Sequence, residues 1–122
     1  MAALSKQMNE LLAQLETNVP GIESTALFDM DGLVVSSRLA EDVDDEMIGA
    51  MSASILSIGN RSGQELERGS MKRIFVEGDN GSIVIMSVGE DIVLVALVES
   101  NVKLGMLFFE CRRIVKRILE II

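Results

Sequence analysis

Three short turn signals constrain this chain more than any other feature. Asp31-Gly32 separates the strand-like stretches Ile22–Met30 and Leu33–Arg38, and Gly78-Asp79-Asn80-Gly81 and Gly89-Glu90 separate Met71–Glu77, Ser82–Val88 and Ile92–Val98. None of these links is long enough for the crossover of a dozen or more residues that parallel neighbours need. Within each group the strands must therefore run antiparallel. Gly32 suits a tight hairpin because glycine accepts the positive φ such turns use. The unbroken apolar run Ile92–Val98 predicts a strand buried on both faces, central in the sheet.

Helical spacing fills the remaining segments. Leu4, Met8, Leu11, Leu12 and Leu15 form one apolar stripe, stopped by Val19-Pro20-Gly21. A second helix is expected from about Asp44 to Leu66, with Gly69 just beyond it as a stop. A third follows Asn101, a residue suited to cap it, with Leu104, Leu107, Phe108, Cys111, Ile114, Val115, Ile118 and Leu119 on its apolar side. The order is α-β-β-α-β-β-β-α. It predicts a single α+β domain over residues 1–122, with a five-stranded, mainly antiparallel sheet and helices packed on it.

Composition removes several kinds of chemistry. The chain has no histidine and one cysteine, Cys111, so neither a Ser-His-Asp nor a Cys-His mechanism can be assembled and no internal disulfide can form. A free thiol suits a reducing cytoplasm. The net charge of −8 disfavours nucleic acid and anionic lipid. The longest apolar run is too short to span a bilayer, and the first residues lack a signal-peptide pattern. In Glu41-Asp42-Val43-Asp44-Asp45-Glu46 five of six residues are acids. This run reads as the start of a helix, with Asp42 as cap and carboxylates set against the helix dipole. It lacks the glycine-punctuated spacing of a calcium loop, and no cofactor or metal is expected.

The second helix carries two stripes. Ile48, Met51, Ile55 and Ile58 form an apolar one, expected to face the sheet. Gly49, Ser52, Ala53, Leu56, Gly59 and Gly63 form one of mostly small residues. Each glycine inside a helix costs about 1 kcal/mol relative to alanine, so a packing reason is needed, and close approach of another backbone supplies one. The expectation is a dimer interface through this small-residue stripe, the partner being a second copy. Asp44, Asp45, Asn60 and Arg61 on the outer edge are then left to bind another protein.

Two resemblances bear on function. Leu27-Phe28-Asp29-Met30-Asp31-Gly32 resembles the first motif of haloacid-dehalogenase-type phosphatases, in which magnesium is held by two aspartates, here Asp29 and Asp31. That family needs a parallel sheet, and here the strand returns at once through a two-residue turn. The phosphatase is therefore a distant alternative. The second resemblance spans most of the chain. The hairpin Ile22–Ser37, the small-residue helix and the stretch Glu99-Ser100-Asn101-Val102-Lys103-Leu104-Gly105-Met106-Leu107, running into Glu110-Cys111-Arg112-Arg113, resemble the Roadblock / dynein-light-chain family, related in fold to longin and profilin-like domains. The resemblance implies a non-catalytic dimer, with itself or a paralogue, whose sheets join and whose helix pair serves as a platform. For prokaryotic members it implies a Ras-like small GTPase as partner. The alternative is a structural light-chain or scaffold subunit.

Overall fold

The computed structural model describes residues 2–122, the side chain of Ala2 excepted. In chain order it consists of α1 (Ala2–Asn18), β1 (Ile22–Asp29), β2 (Val34–Arg38), α2 (Asp45–Glu65), β3 (Arg73–Gly78), β4 (Gly81–Val88), β5 (Ile92–Val98) and α3 (Leu104–Ile121). All four strand pairings are antiparallel, in the spatial order β2-β1-β5-β4-β3. The last strand in sequence is thus the central one, as its composition predicts. Leu94, Ala96 and Val98 enter the core on one face, and Val93 and Val95 enter it on the other.

The two faces are covered unequally. On one, α1 and α3 pack side by side. Met8, Leu11, Leu12 and Leu15 meet Leu107, Cys111, Ile114 and Ile118 over Leu27, Val84, Met86 and Leu94. On the other, α2 lies alone over a smaller core of Ala26, Phe28, Leu56, Ile85, Val93 and Val95. The edge strand β3 is tied to α3 by Phe75, whose ring meets that of Phe108 edge-on at 5.6 Å between centroids.

Local chemistry explains the hairpin that suggested a phosphatase. Asp29 Oδ1 accepts hydrogen bonds from the backbone N–H groups of Asp31 (2.9 Å) and Leu33 (3.0 Å), and Gly32 has φ +86°. The aspartate is a turn builder with its carboxylate engaged by its own loop. It ends an antiparallel strand, where the phosphatase motif would follow a parallel one. Among the described residues no group of three or more His, Cys, Asp or Glu is placed to hold a metal ion.

Two helix caps differ from expectation. Asp44, rather than Asp42, caps α2, accepting from Glu46 N (3.0 Å) and Met47 N (3.4 Å). At α3 the capping position is Lys103, which makes no side-chain cap, and Asn101 lies in the preceding turn. The apolar side of α3 buries strongly enough to fix this helix without a capping side chain.

Cys111 is fully buried between α1, α3 and the sheet, and that burial pushes its thiol from 9.0 up to about 12, with Arg73 and Arg112 offsetting it in part. A thiol that ionises more readily in the unfolded chain than in the folded one favours unfolding above its ordinary pKa. The expected outcome is a contribution to stability that is intact below pH 9 and lost as pH rises toward 12. Cys111→Ala should remove this part of the slope in alkaline denaturation curves. A thiol reagent at pH 8 should label Cys111 only once the chain unfolds.

Candidate partner-binding surface on the second helix

The helix α2 sits on the sheet through its small residues. Gly49, Ser52, Leu56 and Gly63 are buried, and Ala53 and Gly59 are half-buried. A Cβ added at Gly49 would overlap the carbonyl oxygen of Gly32 in the β1–β2 hairpin and stand 2.7 Å from Phe28 Cδ1. One at Gly63 would overlap the carbonyl of Gly69, and one at Gly59 would lie 2.7 Å from Ile74 Cδ1. Glycine permits these approaches because it has no side chain to displace them.

This corrects the assignment of the stripes. Of the residues Gly49, Ser52, Ala53, Leu56, Gly59 and Gly63, expected to meet a second copy, all but the half-buried Ala53 are packed within the chain. Leu56 fills the space above Phe28 and Ile85, Gly49 and Gly63 bring backbone against backbone, and Gly59 admits the side chains of Ile74 and Met71. Of the stripe expected to face the sheet, Ile48 and Ile55 pack on it only from the side, and Met51 and Ile58 point away. The cause is size. A helix held close to a sheet needs its smallest residues underneath, and its larger apolar side chains are left on the flank and outside.

The outward face is therefore apolar. Met47 and Met51 are each 55% exposed and Ile58 is 67% exposed. At 100° per residue these three fall within about 40° of one another and run about 16 Å along the helix. The hairpin that touches α2 at Gly49 adds Leu33, 67% exposed, and the exposed Val34. Apolar side chains grouped in this way mark an interaction surface more than scattered ones do. Beside the C-terminal half of α2, where Gly59 meets Met71 and Ile74, runs β3, one of the two edge strands, with one side of its backbone unpaired.

The four outer-edge residues do not form one cluster. Asp44 and Asp45 lie about 24 Å along the helix from Asn60 and Arg61. Asp44 is engaged as the cap. Asn60 Oδ1 accepts from Met71 N at 2.7 Å and so fixes the chain entering β3. Asp45 is half-buried in the first turn. Arg61 is exposed and among the described residues pairs only with Glu65, its neighbour one turn on (Nε to Oε1, 3.2 Å). Met47 and the hairpin residues Leu33 and Val34 were not expected at this surface. Met47 had a signal, since it shares the helical spacing of Met51 and Ile58. The hairpin had none, since only the fold brings it to α2.

The model of the Roadblock/LC7 domain matches residues 8–98. The chain belongs to the Roadblock/LC7 family. The match ends with β5, so the Glu99–Arg113 stretch lies beyond it. Uncharacterized protein MJ1340 of Methanocaldococcus jannaschii is 32% identical over 105 residues, which cover 85% of this chain and 91% of that protein. Among solved structures, the Roadblock/LC7 domain from Streptomyces avermitilis superposes with a TM-score of 0.85 at 23% identity, covering 90% of this chain and 92% of that one. Myxococcus xanthus MglB superposes with a TM-score of 0.89 at 18% identity, covering 95% and 87%. These structures share the Roadblock fold of the chain. Among its described residues no helix is long and apolar enough to cross a membrane.

Proposed function

We propose that this Roadblock protein is a non-catalytic, cytoplasmic interaction module that pairs with a second copy or a paralogue and, as a pair, binds and regulates a Ras-like small GTPase. The observation that carries the pairing is the row Met47, Met51 and Ile58, exposed on α2, whose C-terminal half lies beside the open edge of β3. A two-fold partner laid along that row covers the apolar side chains and brings two β3 edges together, which extends the sheet across the axis. The GTPase part of the reading rests on family membership, since prokaryotic members of the family are known as partners of such GTPases. In this arrangement Arg61 and Asp45 flank the paired helices and are offered to the GTPase. Asp44 and Asn60 act by holding the ends of α2 in place.

The test is affinity capture with this protein as bait from native lysate supplemented in parallel with GDP and with a non-hydrolysable GTP analogue. The expected result is a small GTPase retained preferentially in one nucleotide state, whose hydrolysis rate changes when the purified Roadblock protein is added. Capture without nucleotide preference, and with no effect on hydrolysis, supports the structural light-chain reading instead.

A further inference from the structure

On the face opposite α2 the chain carries a second surface of contrary character. A groove of about 870 Å³ runs between the start of β3 and the outer side of α3. Lys72 and Arg73 stand on one wall, Arg112, Arg113 and Lys116 on the other, and Phe109, 58% exposed, sits at the rim. The lining contains no aspartate or glutamate, and it gathers five of the 11 basic side chains of a molecule with net charge −8. Among the described residues only Arg113 has a carboxylate partner, Glu110 at 3.0 Å, while Lys72, Arg73, Arg112 and Lys116 have none within 4 Å. Arg73 is also held in place, with its guanidinium carbon 3.9 Å above the centre of the Phe108 ring. A stacked arginine keeps its N–H groups free for a carboxylate and loses little freedom on binding one.

We infer that this groove is a docking site for a short acidic segment of a partner protein, in which carboxylates alternate with apolar side chains. Charge complementarity sets the sign, because a cationic trough attracts anionic groups locally even on an acidic protein, whose more distant carboxylates are screened by salt. The exposed Phe109 asks for an apolar side chain between the carboxylates. The lining runs along α3 from Phe109 to Lys116, about 10 Å, and faces β3 across the groove, so the occupant is about two helical turns or a few extended residues. A concave trough fits an inserted segment better than the plane of a bilayer. The single exposed aromatic is a poor match to a nucleic-acid strand, whose successive bases need several stacking partners. The site lies on the other face of the sheet from Met51 and Ile58, and it shares β3 with the pairing proposed for α2.

The experiment titrates a fluorescein-labelled 12-residue peptide of alternating Glu and Leu into the full chain, with a Lys/Leu peptide, phosphatidylserine vesicles and oligothymidine as parallel probes. The expected result is saturable binding of the acidic peptide only, weakened about tenfold or more between low and high salt. The double variant Arg112→Glu with Lys116→Glu should weaken it by about tenfold or more, and Lys72→Glu on the opposite wall should weaken it independently, with circular dichroism unchanged. Acidic-peptide binding indifferent to the wall variants, no saturable binding, or tighter binding of vesicles or oligothymidine than of the peptide would overturn the inference.

Discussion

Gly49→Val is expected to destabilise the folded chain by about 3 kcal/mol or more, at the upper end of what overpacking costs. The added atoms would meet the backbone of Gly32 and the buried ring of Phe28, neither of which is the free end of a flexible side chain. Relief requires α2 to lift from the sheet or the hairpin to open, and either movement uncovers the small core beneath Leu56. For a domain of 122 residues this loss corresponds to a fall of about 10–15 °C in melting temperature. Gly105→Ala is the internal control. That helical glycine has nothing within 4 Å of an added Cβ, so the substitution should stabilise α3 by up to about 1 kcal/mol. Thermal and urea denaturation followed by circular dichroism measures both. If Gly49→Val melts with the unaltered protein, α2 is not seated as described.

Ile58→Asp is expected to weaken self-association by about two orders of magnitude or more while leaving the fold intact. The side chain is 67% exposed and contributes little to the core, so the stability of the single chain should change by no more than about 0.5 kcal/mol. In a two-fold pair the same position occurs twice near the shared face, and each copy would bring an unpartnered carboxylate into an apolar contact. A loss of about 2.7 kcal/mol corresponds to a hundredfold change in dissociation constant. Met51→Asp should act in the same direction. Sedimentation velocity over a dilution series reads the shift.

The contrast between these two positions shows where sequence reasoning reached and where it stopped. The topology was readable because the links Asp31-Gly32 and Gly89-Glu90 permit only antiparallel neighbours, and the centrality of β5 because Ile92–Val98 has no polar side. The strands and helices lie within a few residues of where their patterns put them. The orientation of α2 was not readable in the same way. Two apolar stripes compete on that helix, and hydrophobicity alone favours Met51 and Ile58 over glycine for the buried side. What decides is distance. The carbonyl of Gly32 and the ring of Phe28 come so close that only glycine fits at position 49. That proximity depends on a hairpin about 17 residues earlier in the chain, whose placement no local pattern encodes. The same holds for the cationic groove. Lys72 and Arg73 on β3 and Arg112 and Lys116 on α3 are far apart in sequence, and the basic residues of α3 read locally as partners of its dipole.

Two copies are proposed to join through the outward row of α2 rather than through its small-residue stripe. Light scattering on the unaltered chain and on Ile58→Asp at micromolar concentration tests this directly. The prediction is twice the 13.3 kDa monomer mass for the unaltered protein, and 13.3 kDa with an unchanged circular dichroism spectrum for the variant. An unaltered chain that is monomeric at that concentration, or a variant that keeps the dimer mass, would contradict it.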